Sequence, residues 1–382
     1  MIRTTLAGLA RRGPWGLAGM LALVMAVEGL IGLRSIALYD VDEWAFRFTA
    51  RAASKSVHDA KVLCFGDSLV KLGVVPAVVR ERTGRMTYNL ALSGSQATTS
   101  YFLLKRALAS GAKPEAIVVD FNPPLLRVGP RHITTRWGAL IDPAEAAELA
   151  SWAHDADLFS EVALGRWLPS LRGKTTIRAH ILGALAGRLP TLEPTNRMAL
   201  RNWKKNEGAQ LMVGSAAARG LSDRAVEDLR TGYYPEWKCH EANVRGLDHF
   251  LTLAEANQIR VFWILPPMLP AFHQKLKASG IDAQHEAFIR SWQAKYPGLV
   301  VLDARGQIAD LAGLWDPQHL SVEGASAFSR DLGDAVRRSL DGPGGPARWV
   351  AMAPVELGPR SPAIEDIDQS RLAVEAIARV RR

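Results

Sequence analysis

The sequence predicts an α/β protein with a parallel sheet, preceded by a membrane-spanning helix and interrupted by a long insertion. Three observations lead to this prediction. Short, fully apolar runs alternate with longer stretches of helical periodicity, which is typical of parallel strands covered by helices on both faces. The first forty residues contain an apolar run of membrane-spanning length. Between about residues 129 and 240 the alternation stops, and the composition becomes rich in tryptophan, arginine and lysine.

The bulk composition narrows the class of partner. The 382 residues are 48% hydrophobic and 22% charged, which is ordinary for a globular protein with a sizeable core. The net charge of +9 favours anionic surroundings such as a membrane surface or an acidic polymer. No zinc-finger, helix-turn-helix or RNA-binding signature is present, so we expect no nucleic-acid partner. Cys64 and Cys239 form neither a disulfide framework nor a metal cluster, and we expect no metal or cofactor.

Residues 1–34 are predicted to be a cytoplasmic flank and a single membrane anchor. The apolar run 14–33 is long enough to cross a bilayer, and arginines at positions 3, 11 and 12 predict a cytoplasmic N-terminus with the remaining chain outside. Glu28 is the one charged residue in the run and lies toward its outer end. A cleaved signal peptide and a soluble N-terminal helix are the alternatives, but no clean small-x-small cleavage site closely follows the run. Residues 35–58 are expected to form a juxtamembrane helix or linker.

The remaining elements define one α/β domain in two parts. Predicted strands are 61–66, 86–92, 115–121, 259–265 and 299–304, and predicted helices include 74–82, 101–108, 241–257, 285–295 and 321–340. The first part of the domain is therefore 59–128 and the second is 241–340. The segment 129–240 is an insertion that covers the domain or binds substrate. The segment 341–382 opens with a Gly/Pro-rich linker and is expected to be a flexible tail.

Polar residues suited to acyl transfer follow the predicted strands. Ser68 comes after the first strand in a Gly-Asp-Ser turn, Gly94 after the second and Asn122 after the third. Asp316 and His319 come after the fifth strand, before the last helix. Each feature alone has an ordinary structural interpretation as a turn residue, a turn cap or a buried histidine. Because the carboxyl ends of parallel strands meet at one edge of a sheet, their joint occurrence predicts a serine nucleophile with a base and oxyanion donors.

This set resembles the SGNH hydrolases, also called the GDSL esterase and acyltransferase superfamily. The matching blocks are FGDSLV at 65–70, Gly94 in NLALSGS, Asn122 in VVDFNPP, and Asp316 with His319 in WDPQHLSVEGA. The resemblance covers about 59–128 and 241–340. The third block departs from the family's Gly-x-Asn-Asp, because this chain has Asp-Phe-Asn-Pro at 120–123.

The resemblance implies a three-layer, flavodoxin-like fold with a five-stranded parallel sheet. It implies that Ser68 is the nucleophile, His319 the base and Asp316 the residue that orients His319. The backbone amides of Ser68 and Gly94, with the side chain of Asn122, would hold the oxyanion.

The resemblance also implies a membrane-anchored, extracytoplasmic esterase or O-acyltransferase. The anchor resembles family members that add or remove acetyl groups on cell-surface or secreted polysaccharides, and the Trp-rich, basic insertion suits an anionic carbohydrate. The alternatives are a hydrolase of lipid or small acyl esters, and a non-catalytic scaffold in an envelope or polysaccharide-secretion assembly. Alternatively, the tryptophans form the insertion's own core, and the basic residues of the insertion contact anionic lipid.

Overall fold

The computed structural model of the chain describes residues 15–187, 192–214, 236–308, 310–342 and 347–380. Its centre is a sheet of six strands in the order β2-β1-β3-β4-β5-β6, and every neighbouring pair is parallel. The strands are β1 Val62–Phe65, β2 Thr87–Asn89, β3 Ala116–Val119, β4 Arg260–Leu265, β5 Val300–Asp303 and β6 Trp349–Ala351. The first five strands follow the doubly wound order 2-1-3-4-5. The predicted α/β class with a parallel sheet is confirmed.

The sheet has six strands, so the prediction of five was wrong. The additional strand, β6, belongs to the segment 341–382, which was expected to be a flexible tail. Val350 of β6 is in register with Leu302 of β5, and Met352 N–H donates to Asp303 O at 2.8 Å. A strand of 3 residues after a Gly/Pro-rich linker has too short a pattern to be recognised from sequence. Pairing with it satisfies the backbone edge that β5 would otherwise leave open.

Helices cover the sheet and fill the insertion. Before residue 129 they are α1 Trp15–Leu33, α2 Ser35–Leu38, α3 Val41–Lys55, α4 Ser68–Gly73, α5 Pro76–Thr83, α6 Ala97–Ala109 and α7 Pro123–Arg127. In the insertion they are the 3-10 turn Pro130–Ile133, α8 Thr134–Leu140, α9 Pro143–Ala153, α10 Ala156–Trp167, α11 Pro169–Arg172, α12 Lys174–Leu185 and α13 Glu193–Lys205. After it they are α14 Glu241–Ala256, α15 Pro270–Ala278, α16 Ile281–Lys295, the 3-10 turn Leu311–Gly313, α17 Val322–Asp341 and α18 Ile367–Val380.

Two hydrophobic cores lie on opposite faces of the sheet. Alternate residues of each buried strand belong to different cores: Leu63 and Phe65 of β1 pack with α6 and α14, whereas Val62 and Cys64 pack with α5 and α17. This alternation is what a strand covered on both faces requires. Cys64 and Cys239 are both free and buried, and burial raises the pKa of the Cys239 thiol to about 12, so neither behaves as a reactive thiol.

The helix α1 has the length and composition of a membrane span. It contains 19 residues, and a window within it reaches a mean hydropathy of 2.0. Nearly all of its side chains are exposed, which distinguishes it from the buried core helix of a soluble protein. The basic flank expected at residues 1–14 lies outside the described residues.

The tryptophans of the insertion mostly serve its own packing. Trp137, Trp152 and Trp203 are buried in the core cluster that includes α6 and α14. The indole N–H of Trp237 donates to the carbonyl of Pro123 at 2.7 Å, so this ring is also held by the fold. Trp167 at the end of α10 is the exception, because 68% of its surface is exposed.

Candidate active site

Ser68 is the first residue of α4 and follows β1 after a two-residue turn. In that turn Gly66 has a φ of 128°, and a Cβ there would lie 2.9 Å from the Asp120 carbonyl oxygen, so glycine is required. The carboxylate of Asp67 accepts the Leu69 N–H at 2.7 Å and caps α4. The turn therefore holds the half-buried hydroxyl of Ser68 at the carboxyl edge of the sheet, where ligands gather in such folds.

Asp316 and His319 lie in the loop between β5 and α17. Leu314 and Leu320 close the loop through a short antiparallel bridge. Inside it, Asp316 Oδ1 accepts the backbone N–H groups of Gln318 and His319, both at 2.8 Å. The three-residue spacing thus forms a turn in which the aspartate fixes the backbone that carries the histidine.

The serine and glycine that follow the histidine hold α17 against this loop. Ser321 caps α17 by accepting the Gly324 N–H at 3.2 Å. A Cβ on Gly324 would lie 1.9 Å from the carbonyl oxygen of Gly313, so only glycine permits this approach. These residues act on the position of His319 through the backbone.

The structure brings Ser68, His319 and Asp316 into one chain of hydrogen bonds. Ser68 Oγ lies 2.8 Å from His319 Nε2, and His319 Nδ1 lies 2.7 Å from Asp316 Oδ2. Burial lowers the pKa of His319, but the hydrogen bond and charge of Asp316, together with the charge of Asp67, outweigh it and leave the pKa above its ordinary value. With Nδ1–H donated to Asp316, the free lone pair of Nε2 faces the serine hydroxyl, which is the arrangement a general base needs.

Lys71 is a second candidate base by spacing, since it follows Ser68 by three residues, the spacing of serine and lysine in one class of serine enzymes. Its side chain is 2% exposed, and burial lowers its pKa, partly opposed by Asp42. The serine hydroxyl, however, is hydrogen-bonded to His319, with Ser68 Oγ 2.8 Å from His319 Nε2. The geometry favours His319 as the base.

A buried carboxyl pair positions Asn122. Asp67 Oδ2 accepts a hydrogen from Asn122 Nδ2 at 3.1 Å, and this bond fixes the orientation of the Asn122 amide. Burial raises the pKa of both Asp67 and Asp120, and the charge of Asp67 raises that of Asp120 further, so Asp120 is the carboxyl of the pair that holds a proton more strongly. The unusual Asp120 of the third sequence block therefore supports the carboxylate that orients Asn122.

Gly94 is brought next to the Ser68 turn by the loop after β2. Ser95 Oγ donates to Gly66 O at 2.6 Å, and Leu92 N–H donates to the same carbonyl at 3.0 Å. Gly94 has a φ of 69°, a conformation that glycine adopts without strain. These bonds place the backbone of Gly94 at the same sheet edge as Ser68.

Arg136, from α8 of the insertion, lies beside this loop. Its Nη1 is 3.4 Å from Ser93 O and 3.5 Å from where a Cβ on Gly94 would be. Asp42 lies 3.5 Å from its Nη2 and offsets part of the charge. The insertion therefore supplies a cation at the edge of the site.

A cavity of about 40 Å³ adjoins the Ser68 turn and Asn122. Leu69, Pro123, Met268 and Ile281 give it a largely apolar wall. The cavity is narrow, and its lining includes Asn122 but neither Ser68 nor His319.

The structure brings the predicted residues Ser68, Asp316 and His319 together and places Gly94 and Asn122 at the same sheet edge, whereas the sequence analysis did not single out Asp67, Asp120 or Arg136. Asp67 and Asp120 belong to the first and third sequence blocks. Two carboxyl groups that directly follow neighbouring strands could have predicted a buried carboxyl pair. Nothing in the sequence indicated that Arg136 would reach the site. Among the described residues, no three His, Cys, Asp or Glu side chains are grouped so as to hold a metal ion.

Comparison with known proteins identifies no relative: the sequence matches no family model, and no curated protein matches it.

Proposed function

We propose that the protein is a membrane-anchored, extracytoplasmic serine esterase or O-acyltransferase of the SGNH type, acting through an acyl-Ser68 intermediate. The observation that carries this proposal is the hydrogen-bonded chain from Ser68 through His319 to Asp316. The order of the first five strands supports the flavodoxin-like variant of the fold, and so does the position of Ser68 and its hydrogen-bonded partners at the carboxyl edge of these strands.

The residues divide the reaction between them. Ser68 Oγ attacks the ester carbonyl while His319 Nε2 takes the serine proton. The bond from the carbonyl carbon to the alcohol oxygen breaks, and His319 returns the proton to the departing alcohol. Water or a second hydroxyl then attacks the acyl-serine, with His319 accepting the proton of the attacking hydroxyl. The bond from the acyl carbon to Ser68 Oγ breaks, and His319 returns the proton to Ser68 Oγ. Asp316 stabilises the imidazolium that forms in each half of the cycle.

Backbone amides and one side chain stabilise the oxyanion. The N–H groups of Ser68 and Gly94 and the side-chain amide of Asn122 are the donors. Asp67 fixes the Asn122 amide before substrate arrives, so this donor needs no reorganisation during the reaction.

A short acyl group, such as acetyl, suits the site best. The adjoining cavity of about 40 Å³ supports a small acyl group over the long chain of a lipid ester. Arg136 beside Gly94 supports an anionic carbohydrate as the alcohol component. The burial of Trp137, Trp152 and Trp203 removes these rings as stacking platforms, so the carbohydrate assignment depends on Arg136 and the anchor.

The test uses the full chain in detergent micelles. We expect turnover of a short-chain aryl acetate and labelling by a fluorophosphonate at Ser68, with both lost in Ser68→Ala. Ser326→Ala is the matched control, because Ser326 is buried on α17 and binds a backbone carbonyl of its own helix. If the wild-type chain shows neither turnover nor labelling, the scaffold alternative replaces the enzyme.

The same protein separates a hydrolase from a transferase. Intact mass should detect an acetyl adduct on Ser68, which is then chased with water or with candidate oligosaccharides. Faster decay in the presence of a sugar, with the acetyl group recovered on that sugar, indicates a transferase. For the topology, a reporter fused after residue 45 should be active only outside the cytoplasm, and activity only inside would contradict the proposed orientation.

A further inference from the structure

Glu28 has a partner in the insertion, although it lies within the apolar helix α1. Its side chain is only 7% exposed, and it is the one buried residue of that helix. The carboxylate accepts the backbone N–H of Ser170 at 2.8 Å and also accepts the Ser170 hydroxyl. Ser170 belongs to α11, so the insertion covers the residue that most disfavours a membrane position.

The level of this contact fixes the depth of α11 relative to α1. At about 1.5 Å per residue, the 19 residues of α1 span about 28 Å, close to the roughly 30 Å of a hydrocarbon core. Glu28 lies about 7 Å before the end of the helix at Leu33. Pro169 also reaches α1, since its Cγ is 3.6 Å from where a Cβ on Gly32 would be. If α1 crosses the bilayer over its whole length, α11 contacts it in the outer part of the acyl-chain region, within about 8 Å of the headgroups.

The surface around α11 is apolar and exposed. We call the exposed apolar side chains of α10, α11 and α12 the insertion face. They are Leu164, Trp167, Leu171, Ile181, Leu182 and Leu185. Leu185 is 81% exposed. The helix α12 has 12 residues and buries none of them. Because a helix of that length is marginal in water without burial, a medium that covers its apolar residues would stabilise α12.

The charges of this segment complement an anionic lipid surface. From Arg166 to Leu185 the chain contains no aspartate or glutamate. Arg166, Lys174 and Arg178 are exposed, while Arg172 lies 3.6 Å from Glu43. Basic residues next to a membrane gain about 1 kcal/mol each from anionic headgroups. An exposed tryptophan such as Trp167 is also typical of the membrane–water interface.

We infer that the insertion face rests in the bilayer leaflet at the C-terminal end of α1, with its bases among anionic headgroups. The occupant is lipid rather than a second protein, because α11, which contributes Leu171 to this face, contacts the apolar helix α1 at Glu28 and Gly32. The inference rests on α1 crossing the membrane and is independent of whether Ser68 is catalytic. It makes the insertion a second point of attachment, which prevents the domain from swinging freely about α1.

The test measures lipid exposure in the full chain, reconstituted in nanodiscs with and without phosphatidylglycerol. Single cysteines replace Leu182 or Leu185 on the insertion face, Leu23 in α1 and Arg245 on α14, and each carries a spin label. The native Cys64 and Cys239 are buried, and the unsubstituted chain checks that they remain unlabelled. Collision rates with oxygen, which partitions into lipid, are compared with those of a water-soluble nickel chelate. Fluorophosphonate labelling at Ser68 or thermal unfolding checks that each variant is folded.

We expect Leu182→Cys and Leu185→Cys to give an oxygen-to-nickel ratio several-fold above that of Arg245→Cys and below that of Leu23→Cys. Water-like ratios on the insertion face with a lipid-like ratio at Leu23 would overturn the inference and leave the anchor intact. Water-like ratios at Leu23 as well would remove its premise. Labels that neither reagent reaches would show that a protein covers the face.

The charge contribution has its own matched pair of variants. Lys174→Gln with Arg178→Gln should lower the ratio at position 185 in phosphatidylglycerol nanodiscs and leave it unchanged in neutral ones. Arg337→Gln with Arg338→Gln, on exposed positions of α17, should change neither. Equal effects of the two pairs would contradict the role of the insertion's bases.

Discussion

Replacing Asp316 by asparagine tests the proposed base, because the local geometry dictates how the new amide must sit. Asp316 Oδ1 accepts two backbone N–H groups at 2.8 Å, from Gln318 and His319. The amide oxygen of asparagine is the only atom that can replace it there. The amide NH₂ then faces His319 Nδ1 across the 2.7 Å contact. Because NH₂ cannot accept the Nδ1 proton, His319 is forced to carry its proton on Nε2, which then donates to Ser68.

The consequence is a histidine in the wrong tautomer to act as base. A loss of about 10⁴ in kcat is typical when an amide replaces this carboxylate, which corresponds to about 5.4 kcal/mol of activation free energy. The pKa of His319 should also fall, since Asp316 supplies the hydrogen bond and charge that raise it against burial. In the wild type the rate should rise with pH through a pKa above 6.5, because only neutral His319 accepts a proton.

The assay is hydrolysis of an aryl acetate from pH 5 to 9, with the rate of fluorophosphonate labelling as a second readout. Asp310→Asn is the matched control, because Asp310 also caps a turn through its carboxylate, at Ala312 N–H, but does not contact His319. A rate for Asp316→Asn within tenfold of wild type, with an unshifted pH profile, would refute His319 as the base that Asp316 orients. Thermal unfolding checks that the loop is intact.

Three further predictions concern the surroundings of Ser68. Asp120→Asn should flatten the pH dependence of thermal stability. The folded wild type holds a proton on Asp120 above the ordinary pKa of 3.8, so its free energy of unfolding falls as pH rises from about 4 through the raised pKa. The amide of the variant does not titrate and removes this dependence. Gly208→Ala should lower the unfolding free energy by more than about 2 kcal/mol, because the residue has a φ of 98° and its Cβ would lie 1.9 Å from the Asn89 carbonyl oxygen. Arg136→Gln should raise KM about tenfold for an ester carrying a carboxylate and leave KM for a neutral ester unchanged, measured by steady-state kinetics.

The Gly208 and Arg136 variants each have a matched control in the same chain, and the Asp120 variant has a refuting pH profile. Gly298→Ala meets nothing within 4 Å and should be close to neutral in stability. Arg131→Gln removes an exposed arginine that pairs with Asp155, and it should leave KM unchanged for both esters. A pH profile of Asp120→Asn parallel to that of the wild type would show that the proton is not held there.

The sequence was sufficient to locate five of the six strands and to predict which polar residues follow them, because both depend on local order. Apolar runs ended by turn residues located β1, β3 and β4, and parallel strands then brought Ser68 and Asn122 to one edge. It was insufficient where tertiary contact decides the outcome. The strand β6 is only 3 residues long, and its pairing with β5 determines it. The protonated state of Asp120 follows from its burial beside Asp67, which no spacing along the chain reveals.

The composition of the insertion predicted two partners, a carbohydrate and a membrane, and the two proposals depend on different ends of the insertion. The helix α8 places Arg136 beside Gly94, while α11 contacts α1 at Glu28.

These two ends are joined by close packing rather than by a flexible linker. A Cβ on Gly138 of α8 would lie 2.9 Å from the backbone of Gly165 of α10, and Arg166 donates to Ile141 O at 3.0 Å. A displacement of α11 in the membrane is therefore transmitted to α8, because packed helices move as units. If the insertion face rests in lipid, Lys174→Gln with Arg178→Gln should change KM for an anionic ester in phosphatidylglycerol nanodiscs but not in neutral ones. An identical KM in both lipids would show that the membrane attachment and the substrate contact are independent.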